Sequence, residues 1–99
     1  MIKVEVCKEK DLYKKVSVLG HAMYDEYGKD IVCSAVSSIV TTTVNGILAL
    51  DKDSLNYEVN EEGLFITNIG DGNTQTLINN MVSLLKELED EYPTNIKVM

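Results

Sequence analysis

The sequence predicts an α+β fold of order ββαββαβ, with two helices packed on one face of a mostly antiparallel sheet. Three observations predict it. Short alternating segments cluster at residues 2–7, 13–21, 55–59 and 64–69. Two longer segments, 31–50 and 74–90, instead repeat apolar residues at three- and four-residue steps. Turn residues separate them at close intervals, which favours hairpins and helices laid over one sheet.

The first strand alternates Ile2, Val4 and Val6 with Lys3, Glu5 and Cys7, a half-buried pattern. The polar run Lys8-Glu9-Lys10-Asp11 turns the chain into a second strand carrying Val16 and Val18 on one parity and Ser17, Leu19 and His21 on the other. Residues 31–50 are rich in valine and threonine, which favour strands. The spacing of Ile31, Val32, Ala35, Val36, Ile39, Val40, Val44, Ile47 and Leu48 decides for a helix, and Asp30 is a suitable N-cap. Leu55–Val59 and Leu64–Ile69 read as a hairpin around Asn60-Glu61-Glu62-Gly63, with Gly63 suited to a left-handed turn position. Gly70-Asp71-Gly72-Asn73 ends that hairpin. A second helix follows with Leu77, Ile78, Met81, Val82, Leu85 and Leu88 on one face. Tyr92-Pro93 stops it, and Ile96 and Val98 begin a last strand.

The chain has 99 residues, 44% of them hydrophobic and 25% charged, which fits one domain, residues 1–99, with a single modest core. Nine basic against sixteen acidic residues give a net charge of −7. Such a surface repels phosphate backbones, so no direct nucleic-acid partner is expected. No stretch is read as approaching the ~20 apolar residues of a membrane span, and the alternating N-terminus lacks the apolar block of a signal peptide. A cytoplasmic location is therefore expected, with Cys7 and Cys33 as thiols. Two cysteines and one histidine without close metal-ligand spacing make a poor zinc site, and no cofactor is implied.

The chemistry concentrates at the end of the second strand and the start of the first helix. His21 is the only histidine. Cys33 becomes the third residue of a helix capped by Asp30, beside unsatisfied backbone N–H groups and the positive end of the helix dipole. Both stabilise a thiolate, and the same N–H groups suit an oxyanion on an attacked carbonyl. The intervening loop is long enough to fold back and bring imidazole to sulfur, the minimum for nucleophilic cysteine catalysis. Against this stands the ordinary role of a cysteine as a small packed side chain. Asp30 either caps the helix or orients His21. Ser37, one turn after Cys33, either hydrogen-bonds in the cleft or permits close packing. Ala22, Met23, Tyr24, Tyr27 and Gly28 form a loop that either covers a peptide or is ordered by its own aromatics.

The run Gly20-His21-Ala22, then Tyr24-Asp25-Glu26-Tyr27-Gly28-Lys29-Asp30-Ile31-Val32-Cys33-Ser34-Ala35-Val36-Ser37, resembles the bacterial ribosomal-processing cysteine protease family, Prp. The family pattern is Gly-His-Ala, a short Gly-bearing loop and Gly-x-Asp-Ile-Val-Cys-x-Ala-Val-Ser. Met23 and Ser34 depart from it, standing where Gly and Ala are usual. The resemblance extends to the element order and the Tyr-Pro before the last strand. It implies a homodimeric cysteine endopeptidase with His21 as base and Cys33 as nucleophile. It implies as substrate the short hydrophobic N-terminal extension of large-subunit ribosomal protein twenty-seven. The rival readings are a non-catalytic ribosome-associated module that holds such a peptide, and a purely structural dimerising domain.

Overall fold

A computed structural model describes residues 1–20 and 31–99. Their elements are β1 (Ile2–Glu9), β2 (Leu12–Leu19), α1 (Ile31–Leu50), β3 (Asn56–Asn60), β4 (Gly63–Thr67), α2 (Asn73–Glu91) and β5 (Ile96–Val98). The five strands form one sheet in the order β3-β4-β2-β1-β5, antiparallel except for the β1–β5 pair. The ββαββαβ order and the two-helix layer are those the sequence predicts.

Pairing register sorts the side chains. Val4, Val18, Leu64 and Val59 form one row across the sheet, and Val6, Val16, Ile66 and Tyr57 form the next. These rows face the helices. Ile2, Val4, Val16, Ile66 and Ile96 are buried there against Val32, Val36, Val40, Val44 and Ile47 of α1 and Ile78, Met81, Val82 and Leu85 of α2. The opposite face carries Lys3, Glu5, Cys7, Lys15 and Phe65, with the Lys15 ammonium 5.7 Å from the Phe65 ring centre. Cys7 does not pack; it is exposed.

α1 has no charged residue in its twenty positions. By length and composition it could cross a membrane, which corrects the expectation that no stretch comes near that limit. Its buried face is the Val32-Val36-Val40-Val44-Ile47 ridge, while Ser34, Ser37, Ser38, Thr41, Thr42 and Asn45 lie outside. This one-sided pattern is that of a core helix. Ile31, expected on the buried stripe, is 59% exposed. Ile31 and Val32 are about 100° apart on the helix, and Val32 takes the inward position.

Two turns differ from the sequence reading. The first hairpin is tighter than the four-residue run, closing on Lys10 and Asp11 alone, both at positive φ (53° and 65°). Such two-residue turns match the right-handed twist of the flanking strands. Gly63 is not in a turn; it begins β4 at φ 153°, opposite Asn60. A Cβ there would lie 2.2 Å from the Val18 carbonyl oxygen, so glycine is needed for the close approach of β4 to β2. The second hairpin turns on Glu61 and Glu62, and the Asn60 side chain accepts a hydrogen bond from the Glu62 N–H at 2.8 Å.

Polar contacts join the layers. The Gln75 side chain exchanges hydrogen bonds with the Tyr13 backbone at 2.8 and 2.9 Å, and the Tyr13 hydroxyl donates to Asn79 at 2.7 Å. Together they fasten the first hairpin to α2. At the other end of α2, Glu89 accepts a hydrogen bond from the Val98 N–H at 3.2 Å. Glu89 therefore ties β5 to the end of α2.

Candidate active site

Cys33 is the third residue of α1, half-buried and packed against the core. The helix begins at Ile31, so the N–H groups of its first turn have no acceptor one turn back within the helix. No acidic side chain occupies that turn, leaving the positive end of the dipole unopposed from within α1. The valine ridge fixes the sulfur's place. Val32 and Val36 press α1 on the sheet, and Cys33, one position round from Val32, falls at the border of the buried face.

A cavity of about 40 Å³ opens at that border, lined by Ile2, Val18, Leu19, Cys33, Val36, Ser37 and Leu64. It holds little more than one water molecule's share of liquid volume, ~30 Å³. Among the described residues that line it, none is charged. The hollow therefore combines a thiol, a helix N-terminus and apolar walls, with room for about a methyl-sized group beside a reacting carbonyl.

Of the site residues read from sequence, Cys33 and Ser37 are brought together on this cavity, Ser37 on its exposed rim one turn after the cysteine. His21, Ala22, Met23, Tyr24, Tyr27, Gly28 and Asp30 lie outside the described residues, and so does the expected His21–Cys33 pairing. Ile2, Val18, Leu19, Val36 and Leu64 were not singled out as site residues by the sequence. Only the apolar parity of Ile2, Val18, Val36 and Leu64 hinted at a common face; Leu19 lies on the other parity and reaches the cavity from the end of β2.

A family model described as cysteine protease Prp matches residues 1–97. The chain belongs to the cysteine protease Prp family. The chain is 34% identical over 83 residues to the ribosomal processing cysteine protease Prp of Staphylococcus aureus (strain Mu50), covering 80% of this chain and 78% of that one. It is 29% identical over 87 residues to the Bacillus subtilis (strain 168) protein of the same name, with the same coverage. Among solved structures it is similar to the S. aureus Prp in complex with a covalently linked product peptide. The TM-score there is 0.88 at 27% identity, over 99% of this chain and 97% of that one. Against the S. aureus Prp with a substrate peptide the TM-score is 0.84 at 29% identity, over 100% and 98%. As a Prp-family member the chain is a cysteine protease.

The last described residue before His21 is Gly20, at φ 72°. A Cβ there would lie 2.5 Å from the Met1 carbonyl oxygen. An L side chain meets both a disfavoured backbone region and a backbone atom that cannot swing away. The exit of the chain from β2 is thus set by glycine and the first residue of the protein. Gly20→Ala is expected to lower kcat/KM for a Prp peptide substrate by about 10²-fold, the cost of a misplacement of order 1 Å in a catalytic group. Circular dichroism would verify the fold. Wild-type hydrolysis by the folded variant would show that this turn does not govern the site.

Proposed function

We propose that this protease removes the short hydrophobic N-terminal extension of large-subunit ribosomal protein twenty-seven, with Cys33 as nucleophile and His21 as general base. The observation that carries the reading is the position of Cys33 at the third residue of an uncharged helix, opening on an apolar cavity. Ribosomal processing is the activity named for the S. aureus and B. subtilis relatives. The S. aureus structures with a substrate peptide and a covalently linked product peptide support a peptide substrate.

The steps follow from the groups. The imidazole of His21 takes the Cys33 proton as sulfur attacks the scissile carbonyl carbon. The carbonyl oxygen becomes an oxyanion, and first-turn N–H groups of α1 are suited to hold it. Collapse breaks the C–N bond, and the imidazolium gives its proton to the departing amine. A thioester remains on Cys33. Water, deprotonated by His21, attacks it and releases a carboxylic acid and the thiol. The chemistry needs no cofactor. Asp30 and Ser37 are assigned supporting roles, Asp30 chiefly as cap of α1 and Ser37 at the rim. The loop of Ala22, Met23, Tyr24, Tyr27 and Gly28 is assigned to substrate contact. The work belongs to a single domain spanning 1–99 and is assigned to the cytoplasm.

Mass spectrometry of the extended ribosomal protein after incubation with this chain tests the reading. Wild type and Cys7→Ala are expected to release the extension, while folded Cys33→Ala leaves it intact. His21→Ala is expected to slow cleavage by about 10²–10⁴-fold, the usual worth of a general base, and to lose the acid limb of the pH–rate profile, since the base must be neutral. Undiminished turnover by folded Cys33→Ala would remove the nucleophile from the account.

We further propose a homodimer. Among the described residues the helices cover one sheet face only, and Phe65 lies on the other among charged neighbours. Light scattering at micromolar concentration is expected to give twice the chain mass; the mass of one chain would contradict it.

A further inference from the structure

We infer that the free edge of β3 is the outer part of the substrate track, pairing with the peptide as an added strand and seating one of its apolar side chains on Val59. The inference rests on the peptidase reading and names the chemistry of the peptide that the site takes.

Val59 is the starting point. It is 60% exposed, although its row-mates Val18 and Leu64 line the Cys33 cavity. Strands in a sheet lie about 4.8 Å apart, so Val59, two strands from Val18, lies about 10 Å along the row. A strand added beyond β3 lies one spacing further out and runs along the edge, so about five residues of extended peptide crossing the row link it to the cavity. Val18, Leu64 and Val59 therefore form a continuous apolar path on the helix side of the sheet, from the nucleophile's cavity to the sheet edge.

The backbone supplies the second argument. Among the described residues β3 is the terminal strand and pairs only with β4. The hairpin closes on two residues, which makes Asn60 and Gly63 a hydrogen-bonded pair. Antiparallel ladders alternate, so Glu58–Phe65 and Asn56–Thr67 are the next hydrogen-bonded pairs. Tyr57 and Val59 fall between them, and their N–H and C=O groups point out of the sheet. The two residues whose side chains share the Cys33 face thus present the unused backbone groups. An extended peptide can take up such groups while its alternate side chains meet the two sheet faces.

Charge identifies the peptide. The edge carries Glu58, Glu61 and Glu62, all exposed, with Lys15 and Lys52 lining the same hollow as Glu58 and Glu62, so its charge is acidic by a small margin on a chain of net charge −7. A peptide residue opposite Val59 faces the helices and is apolar. Its neighbour, opposite Glu58, faces the open side and is favoured when basic. The substrate class is an extended segment alternating apolar and basic residues, and an acidic alternation is rejected.

Hydrogen exchange on Cys33→Ala provides the test. The probe is a peptide spanning about ten residues on each side of the junction that ends the extension of ribosomal protein twenty-seven. At saturation, the amides of Tyr57 and Val59 are expected to slow at least tenfold. Val59→Asp, a change at an exposed edge position, is expected to weaken peptide binding about tenfold, with Val59→Ile retaining it. Unchanged exchange at both amides, or equal affinity of Val59→Asp, overturns the inference. Cleavage of the same peptide by wild type reports separately on the peptidase reading. Cleavage without protection removes the edge, protection without cleavage supports the edge and removes the peptidase reading, and absence of both removes both.

Discussion

A twenty-residue helix without a charge has one stable place in water, which is against an apolar surface. The ridge of Val32, Val36, Val40, Val44 and Ile47 is buried on the sheet and α2. At roughly 2 kcal/mol for each such side chain, this burial is worth on the order of 10 kcal/mol before chain entropy is charged against it. That equals the net stability of a typical small domain. The rest of the molecule depends on the contact. It holds the start of α1 over the ends of β1, β2 and β4, where Ile2, Leu19 and Leu64 wall a hollow, and so delivers Cys33 to it. The position of Cys33 is a by-product of core packing, with the helix terminus supplying its electrostatic surroundings.

Much of this was legible in the sequence because periodicity reports burial. The three- and four-residue steps in residues 31–50 outweighed the strand propensity of its valines and threonines, and the helix runs over that range. The parity of Val16 and Val18 placed β2, which ends at Leu19 instead of running on to residue 21 because Gly20 turns the chain at positive φ. What was not legible depends on contacts between distant segments. Gly63 was read as a turn residue, yet its task is to let β4 approach the Val18 carbonyl, which no local pattern records. Glu89 looked like one of several solvated acids until β5 brought the Val98 N–H to it. Ile31 was counted on the apolar stripe because composition cannot say which of two adjacent residues turns inward.

The site follows the same division. Cys33 was found through its place relative to a helix start, a local signal. The cavity walls come from four separate elements, so only the assembled sheet brings them together. Val59 is a further case. In sequence it is an ordinary strand residue; in the sheet it prolongs the row that begins beside the sulfur. The fold thus places Cys33 at a helix terminus and the β3 edge about two strands away, joined by one row of side chains. On the proposed reading, a protease of this size selects its peptide over a length well beyond the scissile bond by using strand geometry it already has.

Covalent labelling tests most directly whether Cys33 is a nucleophile activated by His21. A peptidyl chloromethyl ketone, built on the extension residues that precede the junction, would be incubated with the folded protein and the adduct located by peptide mapping. The account predicts one adduct, on Cys33, with Cys7 unmodified and the labelling rate strongly reduced in His21→Ala. An adduct on Cys7 or on a serine of α1, or labelling of His21→Ala at the wild-type rate, would contradict it.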